Sequence, residues 1–199
     1  MPKLGVVITS TRPNRVGLPV SRWFIEKAKH HGKFEIEVVD LREVGLPPLD
    51  EPHHPMKREY QHAHTQAWSR TILGLDAFVF VTPEYNYSMA PALLNALDYL
   101  YFEWNYKAAG FVSYGGVSAG TRSVQMSRSV ASAFKIVSLP EGVFIPFVGK
   151  LIDAEGAFDP GTTQDESVTR MLDELLRWTE ALQGLRQASR EKLTAARHS

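Results

Sequence analysis

Three runs of the chain, "KLGVVIT" (3–9), "DAFVFVT" (76–82) and "AAGFVSY" (108–114), are apolar almost without interruption. A strand with one face in water alternates apolar and polar residues, because successive side chains point to opposite faces. Strands lacking that alternation are covered on both faces, as at the centre of a parallel sheet. Two further runs differ. "FEIEVVDL" (34–41) alternates as an edge strand does, and "GVFIPF" (142–147) holds Pro146, which cannot donate to a ladder and so belongs at a sheet edge. Between the runs lie apolar stripes at helical spacing: Val20, Trp23, Phe24 and Ala28; Leu93, Leu97, Leu100 and Tyr101; Met126, Val130, Ala133 and Phe134. The cleanest stripe, Val168, Met171, Leu172, Leu175, Leu176, Thr179 and Leu182, is opened by Asp165 and Glu166 in its first turn. Segment 56–74 also reads as helical, less regularly. This alternation predicts an α/β fold, a doubly wound five-stranded parallel sheet with helices on both faces.

With 199 residues the chain suits one sizeable core, and no composition shift marks a boundary. We expect a single domain over 1–185 and a frayed tail over 186–199, where the apolar face is lost. Loop 41–55, rich in proline, is expected to cross the surface. Lys and Arg total 22 against 22 Asp and Glu, a neutral balance that argues against a nucleic-acid partner. No cysteine is present, which excludes disulfides and thiolate metal sites and fits a reducing compartment. No run reaches the roughly 18 apolar residues of a membrane span, and "MPKLGVVIT" enters a strand at once, so a cytoplasmic protein without a membrane partner is expected. His53, His54, His62 and His64 cluster in sequence without a carboxylate to complete a ligand set, so no metal is expected.

In such a sheet the turns after the first, third and fourth strands emerge at one end, beside the crevice where the winding reverses. Here they are "TSTRPNRVG" (9–17), "TPEYNYS" (82–88) and "SYGGVSAGTR" (113–122). The first sets hydroxyls and arginines before a helix N-terminus, a combination that favours phosphate. It is neither G-x-G-x-x-G nor G-x-x-x-x-G-K-[ST], which leaves a monophosphate. In the second, Pro83 fixes a bend, Tyr85 and Asn86 offer a ring and backbone amides, and Ser88 is placed to cap the next helix. In the third, glycines permit close backbone approach, and Ser118 is a further cap candidate. Phosphate at one turn, a planar ring at another and glycine backbone at a third describe a mononucleotide with a flat heterocycle.

These residues resemble the NADPH-dependent FMN reductase family of flavodoxin-like proteins, which includes quinone, azo-dye and chromate reductases. The resemblance spans roughly 3–185 and is most specific in "PEYNYSMAPALLNALDYL". It implies a bound FMN whose phosphate meets Ser10, Arg12, Asn14, Arg15, Val16 and Gly17. It implies an isoalloxazine ring against Pro83, Glu84, Tyr85, Asn86 and Tyr87, mostly through backbone amides, with Tyr114, Gly115 and Gly116 along its other edge. Tyr87 stands where relatives commonly carry a small residue, and Pro13-Asn14 replaces a Ser or Asn after the loop arginine. The implied activity passes two electrons from NADPH or NADH through FMN to a small acceptor: a free flavin, quinone, azo compound or metal oxyanion. The flavin carries the chemistry, so no catalytic side chain is assigned. A flavodoxin-type electron-transfer module docking to protein partners is the alternative, although such carriers tend to be strongly acidic. Arg122 and Arg128 are candidates for a nicotinamide 2′-phosphate. A homodimer or homotetramer is implied, and "YLYFEWNY" (99–106) carries more rings than one helix face can bury, which points to Phe102 and Trp104 as subunit contacts.

Overall fold

The computed structural model describes residues 1–195. Five strands, β1 (Lys3–Ile8), β2 (Glu35–Asp40), β3 (Ala77–Pro83), β4 (Ala108–Tyr114) and β5 (Val137–Ile145), pair in parallel in the order β2-β1-β3-β4-β5. Seven helices accompany them among the described residues: α1 (Gly17–His31), α2 (Leu41–Val44), α3 (Ala63–Gly74), α4 (Pro91–Asp98), α5 (Thr121–Ala133), α6 (Thr162–Ala181) and α7 (Gln183–Ala195). This is the expected flavodoxin-like sheet, with winding that reverses beside β1.

β3 and β4 are buried along their whole length, which is why their sequences do not alternate. The sheet separates two apolar clusters. On one face, Val20 and Phe24 of α1 and Met171, Leu172 and Leu175 of α6 pack on Leu4, Val79 and Val112. On the other, Trp68 and Ile72 of α3, Leu93 and Leu97 of α4 and Val124 of α5 pack on Val7, Phe78, Phe80 and Phe111. Gly110 lets α6 approach, because a Cβ there would lie 2.8 Å from the Met171 sulfur.

Several local expectations change. β5 starts five residues before the apolar run and takes in Pro140, which falls where the β4–β5 register shifts between Ala109 and Phe111; a bulge at an edge is where a strand tolerates proline. α3 starts only at Ala63, after a short 3-10 turn at Pro55–Lys57. On α5 the buried face is Ser123, Val124, Ser127 and Ala131, one position out of phase with the expected stripe, and Met126 is exposed. The sheet there is met by small polar residues, which carry no hydropathy signal.

Trp104 is not a subunit contact. It is fully buried, donates from Nε1 to the Leu97 carbonyl at 3.2 Å and packs on Phe78 and Trp68. α4 ends at Asp98, and the chain folds back through a 3-10 turn at Phe102–Trp104, so the rings of 99–106 leave in several directions. Phe102 stays partly exposed against Tyr101.

The chain expected to fray beyond 185 is helical through Ala195. Arg190 donates to the carbonyls of Leu73 and Leu75 and to Asp76, and buried Arg186 donates to Thr179 and lies 3.9 Å from Asp76. α7 is held at the amino ends of the strands by these cations rather than by an apolar stripe. The rest of the expected tail, 196–199, lies outside the described residues.

Candidate flavin site

The turn after β1 is anchored at both ends. Thr9 is buried and bonds the Val81 carbonyl through its amide (3.1 Å) and hydroxyl (3.2 Å), tying the turn to β3. Arg15 is buried as well. Its guanidinium donates to the Ser10 carbonyl at 2.8 Å and grips both carboxylate oxygens of Asp40 at the end of β2. Arg15 is therefore committed to holding the loop's shape, and the cation left facing outward is Arg12, which is exposed and has no ion pair among the described residues. Asn14 takes φ 52°, a left-handed conformation that Asn tolerates. α1 then begins at Gly17 with Val16 as its N-cap and no side chain capping its first amides.

Tyr114 reaches this point from β4. A Cβ on Gly17 would lie 2.5 Å from the Tyr114 hydroxyl, so glycine is required for α1 to start here. That hydroxyl is buried and makes no well-formed hydrogen bond; the Ser10 hydroxyl beside it is already bonded to Tyr85. Burial pushes its pKa well above the usual tyrosine range. The Tyr114 oxygen lies at the start of α1.

The opening residues of the second turn form a hairpin-like loop. Tyr85 and Ser88 exchange backbone hydrogen bonds of 3.1 and 2.9 Å, and the residues between them, Asn86 and Tyr87, have φ 51° and 68°. Two successive positive φ values are the pattern of a type I′ turn, usually filled by Asn-Gly. Tyr87 occupies the second place at φ 68°, where the left-handed region costs a residue with a Cβ roughly 1–2 kcal/mol. Tyr87 projects with 69% of its surface exposed, and the Arg122 guanidinium lies 3.9 Å from its ring centroid. Ser88 does not cap α4; Ala90 is the N-cap, Pro91 is the first helical residue, and the Ser88 hydroxyl donates to the Met126 thioether.

The three turns are joined through side chains. Ser10 and Tyr85 share a hydroxyl–hydroxyl bond of 2.8 Å between the first and second. Glu84, whose side chain is nearly buried, joins the second to the third: it accepts from Ser118 Oγ (3.0 Å), the Arg122 amide (3.2 Å) and Arg122 Nε (2.6 Å). Burial would raise the Glu84 pKa, but hydrogen bonds from Arg122 and Ser118 outweigh it and hold the carboxyl below its usual range. Ser118 thus serves Glu84 rather than α5, whose N-cap is Gly120. Gly115 is needed because a Cβ would sit 3.1 Å from the Gly120 amide, and its carbonyl accepts from Val148; Gly116 has open space above it and accepts from Phe147. Neither candidate for a 2′-phosphate is uncommitted: Arg122 is paired with Glu84, and Arg128 donates to the Leu139 and Pro140 carbonyls.

Asp40 escaped the sequence reading because a carboxylate ending an edge strand carries no signal of its partner 25 residues away. The Glu84–Arg122 pair was hidden in the same way. Among the described residues no group of three His or acidic side chains is arranged to hold a metal.

A doubly wound sheet whose polar turns converge at the switch point, with uncapped helix amides and buried hydroxyls between them, is the architecture of a mononucleotide-binding protein. Residues 2–148 match the NADPH-dependent FMN reductase family. The chain is 40% identical over 141 residues to the NAD(P)H-dependent FMN reductase C4B3.06c of Schizosaccharomyces pombe, covering 70% of each. It is 32% identical over 125 residues to the NADPH:quinone oxidoreductase of Arabidopsis thaliana, covering 60% of this chain and 63% of that one. The flavoenzyme NAD(P)H:(acceptor) oxidoreductase FerB of Paracoccus denitrificans superposes with TM-score 0.72 at 18% identity, over 91% of this chain and 98% of that one, a likeness of fold. This chain belongs to the NADPH-dependent FMN reductase family.

Proposed function

We propose that the chain binds FMN across the three joined turns and uses it to pass two electrons from NADPH or NADH to a small acceptor: a free flavin, quinone, azo compound or metal oxyanion. The observation that carries this reading is the start of α1, where amides that no side chain caps lie beside the buried, under-bonded Tyr114 hydroxyl and Ser10. A phosphate oxygen there would accept from the amides and the hydroxyls together.

The residues fit the cofactor. Ser10, Arg12 and the amides from Val16 and Gly17 onward would take the phosphate, with Asn14 shaping the loop and Arg15 bracing it from behind. Pro83 and the backbone of Glu84, Tyr85, Asn86 and Tyr87 would meet the ring, with Gly115 and Gly116 across from them. When bound, FMN supplies hydride acceptance from a reduced nicotinamide and two-electron delivery to an acceptor. The protein's part is position. Glu84 joins the second turn to the third, Ser10 and Tyr85 join the first to the second, and preformed backbone donors cost no reorganisation when charge develops near them. Tyr87 and Arg122 stand at the open side, where a nicotinamide or acceptor must arrive.

The exposed apolar residues Val117, Tyr87, Phe147 and Met126 around the same end support a homodimer or homotetramer with contacts there, readable by sedimentation. Among the described residues no helix is long and apolar enough to cross a membrane; consumption of NAD(P)H and a chain free of cysteine support a cytoplasmic setting. The test is NADPH and NADH oxidation by the purified, FMN-loaded protein across a panel of quinones, azo dyes and free flavin. Turnover with a small acceptor is expected. A protein that holds FMN yet reduces none of them would be an electron-transfer module instead.

A further inference from the structure

A cavity of about 610 Å³ lies not at the flavin turns but at the opposite end of the sheet. Its walls come from the 3-10 turn at Pro55–Lys57, from Phe102, Asn105 and Tyr106 ahead of β4, from Lys135 ahead of β5, and from α7. That volume lies within the roughly 300–1,000 Å³ of pockets that enclose small molecules.

Three left-handed residues, Arg58 (φ 57°), Tyr106 (φ 60°) and Lys135 (φ 54°), line this cavity. Each closes or follows a helical turn, so the walls are built from chain reversals at helix ends.

The lining has a definite chemistry. Phe102, Leu185 and Leu193 give it apolar walls, and among the described residues no acidic side chain lines it. Three cations do. Arg58 is partly committed, lying 3.5 Å from buried Glu103 and donating to the Leu193 carbonyl of α7 at 3.4 Å. Lys135 leans on the neutral Tyr106, its ammonium 5.3 Å from the ring centroid. Lys57 is exposed and has no ion pair among the described residues. At least two positive charges are therefore uncompensated beside an apolar hollow. α7 completes the walls, and it is tethered by Arg186 and Arg190 to Asp76 and to the carbonyls of Leu73 and Leu75.

We propose that this cavity is a second ligand site, separate from the flavin, for an amphipathic carboxylate: its hydrocarbon or aryl part between Phe102, Leu185 and Leu193, its carboxylate among Lys57, Arg58 and Lys135. The site needs nothing from the flavin reading and stands or falls without it.

The test titrates the FMN-loaded protein with sodium decanoate, below its micelle concentration, by isothermal calorimetry, beside 1-decanol and beside the Lys57→Glu/Lys135→Glu variant. One saturable decanoate per chain is expected. Decanol should bind at least about tenfold more weakly, and the charge-reversed variant should lose at least about tenfold in decanoate affinity, since each tenfold is only 1.4 kcal/mol. FMN content and flavin reduction rate should not change in that variant, whose substitutions are on the surface far from the turns. No saturable binding up to millimolar decanoate, equal affinity for decanol, or unchanged affinity in the variant would each overturn the proposal. The last of these would place any bound decanoate elsewhere, including the acceptor side of the flavin.

Discussion

Arg15→Ala separates two roles for one residue. By family position Arg15 is a phosphate contact; in the structure it is a buried brace between Asp40 and the Ser10 carbonyl. The side chain of Arg15 is 4% exposed and that of Asp40 15%, so truncation strands a carboxylate that water reaches poorly. Removing one partner of a buried pair costs about 3–5 kcal/mol, and the partial exposure of Asp40 puts the expected loss at the low end, about 3 kcal/mol. For a chain of this length about 2–4 °C is lost per kcal/mol, so the flavin-free protein should melt roughly 6–12 °C lower. Arg15→Ala with Asp40→Ala should recover part of that, because the stranded charge goes too. Differential scanning calorimetry of the wild type, Arg15→Ala and the double variant without flavin decides the matter. Weakened FMN binding in Arg15→Ala with an unchanged melting temperature would refute the brace and return Arg15 to the phosphate.

Three further outcomes follow from the same geometry. Asn86→Ala, at φ 51° in the Tyr85–Ser88 turn, should cost about 1 kcal/mol and slow flavin reduction in a stopped-flow mix more than it raises the nicotinamide KM; full flavin occupancy with an unchanged rate would leave the turn a mere connector. The Glu84 carboxyl is held below its usual 4.5 in the folded chain, so its contribution is present above that value and lost as pH falls through the lower folded value. Melting temperature should therefore drop more steeply below about pH 4.5 in the wild type than in Glu84→Gln, and parallel profiles would show that the pair contributes nothing. Trp104→Ala should destabilise the chain by about 3–5 kcal/mol at any protein concentration; a loss confined to the oligomer would restore Trp104 to an interface.

The sheet was legible because burial on both faces writes itself into composition. β1, β3 and β4 are apolar runs, and their register with neighbours adds only detail. Element ends were harder. β5 reaches back to Val137 through polar Ser138 and through Pro140, because an edge strand with a bulge need satisfy few ladder bonds. α5 buries serines, whose small size suits close packing but whose polarity hides the face. α7 is docked by arginines to backbone carbonyls, a partnership between residues more than 110 apart that no periodicity records. At the site, the turns themselves were readable from residue types, since hydroxyls, glycines and a Pro-Glu-Tyr-Asn run are local. The division of labour was not. Which arginine faces the ligand and which braces the loop depends on Asp40, and what Glu84 does depends on Arg122, 38 residues onward.

The most direct measurement of the central claim is the FMN dissociation constant of Arg12→Ala beside the wild type, from quenching of flavin fluorescence. Arg12 is the exposed cation of the first turn, and losing one charge-assisted bond to phosphate is worth about 1.5–3 kcal/mol. The dissociation constant should rise about ten- to a hundredfold with the flavin-free melting temperature unchanged. An unaltered dissociation constant would contradict the assignment of the phosphate to this turn, and with it the placement of the flavin.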